Sequence, residues 1–172
     1  YLPYAKKGLP IVGLEPSCLL ALKDEIPSLL KTKDAKLVSK YVMTFEELLS
    51  QDKKSLNLKP LKAKALLHGH CHQKAFNVLD SVEEVLTFID DLKVEKIETS
   101  CCGMAGSFGY SKETYDFSMK MAEKDLLPKI READKNTILI ADGTSCRSQI
   151  VDGSEREAIH VARLLDQQLL NN

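Results

Sequence analysis

Five cysteines stand at positions 18, 71, 101, 102 and 146, and sulfur is the most informative chemistry in this sequence. An odd number with one adjacent pair is a poor disulfide framework for a chain of 172 residues. Metal or redox chemistry in a reducing compartment suits the count better. Structural zinc sites draw ligands from close pairs such as C-x2-C, whereas the successive separations here are 53, 30, 1 and 44 residues. Two neighbouring cysteines turn both sulfurs onto one small tetrahedral ion with difficulty, and onto different irons of a cluster more readily. Soft thiolate donors therefore point to iron–sulfur ahead of zinc. The competing reading is that a lone cysteine is a small buried hydrophobe. It weighs as much as ligation for Cys18. It weighs little for Cys101 and Cys102, because a tight glycine turn is a poor place to store two core thiols.

Glycines recur every third residue after the pair, at Gly103, Gly106 and Gly109. Glycine lets the backbone approach a ligand and aim N–H groups at it, and Gly103 and Gly106 are expected to do so toward cluster sulfurs. The spacing is not G-x-G-x-x-G and no P-loop lysine follows, so phosphate is the weaker occupant. Ser145 and Arg147 flank Cys146 and are candidates to hydrogen-bond the same centre, with Arg147 and Gln149 otherwise plain surface. His68, His70 and His72 alternate around Cys71. In a continuing strand the three share a face opposite Cys71, and hydrogen bonding or support of ligands is expected ahead of ligation. His160 reads as structural, and Met104, Met119 and Met121 as core filler.

The elements that must position these residues alternate. Short apolar runs at 10–14, 63–68, 94–98 and 137–141 read as buried strands. Each runs on into a cysteine. Between them lie helical patterns. Leu19, Leu22, Ile26 and Leu29 form one stripe, which Pro27 kinks or ends. Thr44 with Glu47 and Ser81 with Glu84 read as capping boxes, the second opening a face of Val82, Val85, Leu86 and Ile89. Tyr115, Met119, Ala122, Leu126 and Ile130 form the longest stripe, N-capped by Ser111. Ala158, Ala162, Leu165 and Leu169 form the last. Alternating strands and helices imply an α/β fold, a short mostly parallel sheet flanked by helices, built from repeated strand–Cys–helix units. In such a sheet the carboxyl ends of the strands share one edge, where ligands bind. The scattered cysteines should gather there, each near a helix N-terminus that favours thiolate. Clustered thiolates repel, and a bound cation relieves them.

Composition excludes several classes. Lys plus Arg number 24 against 25 Asp plus Glu, which disfavours nucleic acid as a partner. The longest apolar run, 18–22, is far short of the roughly 20 residues of a membrane span. The opening segment YLPYAKK lacks the apolar region of a signal peptide, so a cytoplasmic location is expected. The polar stretch 50–60 could separate two lobes. Residues 11–18 (IVGLEPSC) echo 139–146 (LIADGTSC): strand, turn, then Ser-Cys opening a helix. Residues 1–55 thus read as the rear part of a first repeat and 56–172 as a complete second one, packed as one unit. With Tyr1 in place of a starting Met, the chain reads as a piece of a longer protein. An uncovered sheet edge in such a piece would favour self-association.

The segments EPSC at 15–18, HCH at 70–72, CCGMAGSFG at 101–109 and GTSCRSQI at 143–150 resemble the cysteine-rich CCG domain. That domain occurs in heterodisulfide reductase, in the iron–sulfur component of glycolate oxidase and in anaerobic glycerol-3-phosphate dehydrogenase. The wording of 104–110 and 118–128 is most similar to the C-terminal part of FAD-linked oxidases acting on D-2-hydroxy acids such as D-lactate. The resemblance implies a 4Fe–4S-type cluster held by Cys71, Cys101, Cys102 and Cys146, with Cys18 nearby as a fifth sulfur. It implies electrons received from a flavin dehydrogenase domain or subunit of the same enzyme. FAD would belong to that parent protein and not to this chain, and peripheral membrane attachment would come through the parent. The second cysteine of a terminal C-x-x-C in heterodisulfide reductase is Gln149 here, which leaves a non-cubane cluster in question. Two other classes stay open: a thiol enzyme using Cys18 or Cys146 on a strand–turn–helix elbow, and a zinc-stabilised interaction domain.

Overall fold

The computed structural model describes residues 1–51 and 56–170. The expected lobe boundary at 55 and part of the polar stretch 50–60 lie outside the described residues. The architecture is α/β with short parallel sheets. The chain runs α1 (Leu2–Ala5), β1 (Ile11–Gly13), α2 (Pro16–Ala21), α3 (Glu25–Leu30), α4 (Lys33–Tyr41), β2 (Val42–Thr44) and α5 (Phe45–Ser50). It continues with β3 (Ala63–Leu67), α6 (Cys71–Ala75), α7 (Leu79–Leu86), β4 (Leu92–Lys96) and a 3-10 turn at Phe108–Tyr110. Then follow α8 (Tyr115–Glu132), β5 (Ile138–Ile140), α9 (Thr144–Ser154), β6 (Ala158–Ile159) and α10 (Val161–Gln168).

The larger sheet has the order β4-β3-β5-β6, all parallel, with Ala65 opposite both Val94 and Ile138. Its central strands are apolar on both faces, as a sheet covered on both sides requires. Ala65, Leu67 and Ile140 turn toward α7 and α10 and join Val82, Val85, Leu86, Leu164 and Leu165. Leu66, Leu139 and Ala141 turn the other way, onto Leu126 and Ile130 of α8 and Ile150 of α9. Two-residue periodicity in the strands thus feeds two cores. Arg156 closes the far end: its guanidinium donates to the carbonyls of Ile130, Ala133, Asp134 and Thr137, tying the end of α8 to the approach to β5.

A two-stranded parallel sheet, β1-β2, organises the first 50 residues. Its small core is Ala5, Ile11, Leu19 and Val42. This part sits over the carboxyl edge of the larger sheet. The Glu15 carboxylate accepts from the backbone N–H and hydroxyl of Thr144, at 2.9 and 2.8 Å. His160 Nε2–H donates to the Leu14 carbonyl at 2.8 Å. Glu46, only 1% exposed, lies with Asp142 and His160 so that one ligand atom of each falls within 4.8 Å of the others.

Several local expectations change. The capping box of Thr44 and Glu47 is present. Ser81, however, lies inside α7, which starts at Leu79 because the turn at Val78 already enters helical geometry. Thr114, not Ser111, precedes α8; the Ser111 carbonyl instead accepts from the N–H groups of Thr114 and Tyr115. The stripe at 19–29 is broken into α2 and α3 before Pro27, which sits in the first turn of α3, and Leu29 is 76% exposed. Ala158 belongs to β6, with α10 beginning at Val161. β2 and β6 are too short to show an alternation in sequence.

Two measurements follow. Leu126→Ala, at a fully buried position, should destabilise the chain by about 2–5 kcal/mol in denaturant unfolding. Burial, with the Asp142 charge beside it, pushes the Glu46 carboxyl from its ordinary 4.5 up to about 8. Between those values the unfolded chain ionises this group while the folded chain keeps its proton, so stability falls as pH rises and levels off above about 8. Glu46→Gln should flatten that slope in unfolding curves taken from pH 5 to 8.

Candidate metal centre

The strand order fixes where the thiols meet. β3 leads away to β4 on one side and β5 leads to β6 on the other. The crevice between the carboxyl ends of β3 and β5 is the point where such folds take ligands. β3 ends at Leu67 and the chain then enters α6 with Cys71 at its first position. β5 ends at Ile140, and Cys146 occupies the first turn of α9. Cys101 and Cys102 arrive on the loop after β4. Cys102 and Cys146 are buried, Cys101 is half-buried and Cys71 is exposed at the mouth.

The four sulfurs form an unbroken series of contacts: Cys71 with Cys101, Cys101 with Cys102, and Cys102 with Cys146. Their acidities alternate along it. Hydrogen bonds from Cys102 and Cys71 hold Cys101 far below the ordinary thiol value, helped by the Gly103 N–H at 3.3 Å. The Cys102 thiol, with the His68 and His70 rings behind it, does the same for Cys146 despite its burial. Cys71 and Cys102 move the opposite way, since each donates to an anionic neighbour and a second negative charge is opposed. A bound cation would require all four as thiolates and would draw off whatever protons they carry.

The expected histidine alternation fails because the strand has ended before it. His70 instead caps α6: its Nδ1 accepts from the His72 N–H at 3.1 Å, and its own N–H donates to Gln73 Oε1 at 3.0 Å. Gln73 then donates to Asp142 Oδ2 at 2.8 Å, while Asp142 Oδ1 accepts from the Val161 N–H at 3.0 Å. His68 is buried, with one ring nitrogen within 4.8 Å of the Cys102 and Cys146 sulfurs. Lys74 Nζ donates to Thr99 Oγ1 at 3.0 Å and to the Thr99 carbonyl. Burial pulls its ammonium below the ordinary range, partly offset by the nearby sulfurs of Cys146, Cys101 and Cys71.

The other expected site residues divide. Gly103 has φ +94, and a Cβ there would stand 2.2 Å from the Ser118 carbonyl oxygen. Gly106 is exposed in open space and approaches nothing. Ser145 is half-buried in the first turn of α9 beside Cys146. Arg147 holds the turn rather than sulfur, donating to the carbonyls of Ala141 and Asp142 and to Thr144 Oγ1. Gln149 is buried and donates to Ser118 at its carbonyl and hydroxyl. Cys18 sits exposed in the first turn of α2, outside the series of four thiols. The pair Cys101–Cys102 stands in a loop, not at a helix N-terminus. Sequence reasoning missed Lys74, Thr99 and Asp142, whose contacts span 25 and 69 residues and leave no local signal.

Several dehydrogenases and dehydrogenase components resemble this chain. One component of the anaerobic glycerol-3-phosphate dehydrogenase of Escherichia coli is 29% identical over 165 residues, covering 95% of the chain and 41% of that protein. D-2-hydroxyglutarate dehydrogenase of Haemophilus influenzae is 31% identical over 159 residues, 85% of the chain and 15% of that protein. The enzyme of the same name from Pseudomonas putida is 29% identical over 164 residues, 89% of the chain and 14% of that protein. The chain therefore spans less than half the length of each. No family model matches it, and no solved structure does.

In metal-free protein, brief iodoacetamide treatment followed by peptide mass mapping should modify Cys18 and Cys101 ahead of the buried Cys102 and Cys146. Gly103→Ala should lower stability by at least about 2 kcal/mol in denaturant unfolding, from its positive φ and the blocked approach to Ser118.

Proposed function

We propose that Cys71, Cys101, Cys102 and Cys146 hold a 4Fe–4S-type centre and that the chain is the electron-transfer domain of a flavin-linked dehydrogenase acting on a 2-hydroxy acid or a similar secondary alcohol. The observation that carries this reading is the run of four thiols along the β3/β5 crevice, with the buried Cys102 and Cys146 sulfurs and a His68 ring nitrogen within 4.8 Å of one another. The donor set fits an iron–sulfur group: soft, crowded and partly buried. When bound, that group accepts and releases single electrons. The chain's own residues do the rest. Gly103 offers its N–H to the Cys101 sulfur. Lys74 places a cation beside the site through Thr99. Leu66, Ile97 and Met104 exclude water from the buried half.

The comparisons support the parent chemistry. The relatives are named for glycerol-3-phosphate and D-2-hydroxyglutarate, both of which carry a secondary hydroxyl whose oxidation releases two electrons. A flavin partner accepts such a pair and passes the electrons on singly. Residues 1–55 would be the rear of a preceding repeat, since Cys18 takes the third position of α2 as Cys146 takes the third of α9. A reducing cytoplasmic setting suits five free cysteines.

Anaerobic reconstitution of the 172-residue chain with ferrous iron and sulfide tests the reading. The product should be brown and hold close to four irons per chain. Cys102→Ser and Cys146→Ser should each lose most of that iron, while Cys18→Ser keeps it. Binding of one zinc with no iron retained would overturn the proposal in favour of a zinc-stabilised domain.

A further inference from the structure

The imidazole of His68 is one of the most deeply buried polar groups in the chain, at 2% exposure. Its Nε2 meets no nitrogen or oxygen partner, and the polar neighbour of the ring on the thiol side is the Cys146 sulfur. Its Nδ1 is fixed 3.1 Å from Thr99 Oγ1, and Thr99 is gripped in turn by Lys74 at both its hydroxyl and its carbonyl. When Nδ1–H donates to the hydroxyl oxygen, Nε2 carries a bare lone pair. A ring nitrogen of His68 and the Cys102 and Cys146 sulfurs lie within 4.8 Å of one another. We infer that His68 is a nitrogen ligand of the metal centre, bound through Nε2, so that the site is a mixed sulfur–nitrogen one; this rests on the iron–sulfur reading above.

The argument is one of unmatched groups. A buried ring nitrogen without a partner is costly unless something occupies it. Metal-binding histidines are held this way, with the second nitrogen hydrogen-bonded to an outer residue that fixes the ring. The other histidines are differently committed. His70 spends Nδ1 as the cap of α6. His160 spends both nitrogens, Nδ1 accepting from the Ala162 N–H and Nε2 donating to Leu14. His72 also has a buried Nδ1 without a partner, but its Nε2 lies 3.7 Å from Glu25 and its ring is not in the group with Cys102 and Cys146. At that position a neutral imidazole adds no negative charge, so the reduction potential stays higher than a thiolate there would leave it.

The test uses the full chain, labelled with 15N-histidine and reconstituted anaerobically with iron and sulfide. Electron–nuclear double resonance on the reduced sample should show a strongly coupled 15N that disappears in His68→Gln and survives in His70→Gln. A brown, paramagnetic sample without that coupling overturns the nitrogen ligand and leaves the iron–sulfur reading standing. A chain that retains no iron overturns the iron–sulfur reading itself. His68→Cys gives a second readout, valid also for a reduced state silent in magnetic resonance or for a poorly folding glutamine variant. Its iron content should hold while its midpoint potential falls below that of the wild-type chain. An unchanged potential overturns the proposal.

Discussion

Four thiols touching in series cannot all ionise without mutual repulsion, and much of the structure around the crevice answers that constraint. Contacts along the series pull the Cys101 and Cys146 thiols below the ordinary range and push those of Cys71 and Cys102 above it. The positive ends of α6 and α9, the Lys74 ammonium and the Gly103 N–H all face the same small volume. Each offsets part of the repulsion, and a multivalent cation would offset the remainder. Relaxation by moving a thiol outward is blocked for Cys102 and Cys146, which belong to the same packed core as Leu126, Ile130 and Ile150.

That core explains how sulfurs so far apart in sequence are kept together. The β3 and β5 strands are neighbours whose onward connections diverge, so the crevice at their ends stays open to side chains from both. The first 50 residues close over it through polar contacts at the rim, while Phe45 and Leu49 of α5 pack against the core beside α7. Glu15 on Thr144, Leu14 on His160 and Glu46 against Asp142 all meet at the carboxyl edge of the larger sheet. Burial alone would raise the Glu15 carboxyl, yet hydrogen bonds from Thr144 and Ser17 hold it below its usual value and keep it charged.

Much of this was legible in the sequence, for identifiable reasons. β3 and β5 are apolar on both faces, which few loops or surface helices are, and Val82, Val85, Leu86 and Ile89 have a helical period that burial enforces. The convergence of Cys71, Cys101, Cys102 and Cys146 followed from parallel topology, which also led Cys18 to be expected there although it lies exposed on α2. The failures were local. A strand end cannot be read from alternation when histidines follow it, so His70 was placed on a face when it is a cap. Ser81 has the right residue type for a cap, but α7 had already begun. Gly106 shares the spacing of Gly103 and none of its crowding. Thr99 and Lys74 matter only through a contact spanning 25 residues, and no local pattern announces such a contact.

Gly143 shows how tightly the crevice is drawn. A Cβ there would lie 2.5 Å from the His70 ring and 3.2 Å from the Cys146 sulfur, so the residue that opens α9 has no room for a side chain. A helix start ordinarily takes its cap from that very position. The carboxylate of Glu15, 129 residues earlier, supplies it instead. The helix that presents Cys146 is therefore finished by an imported cap, and the first segment of the chain is a structural component of the thiol site without lending it a sulfur.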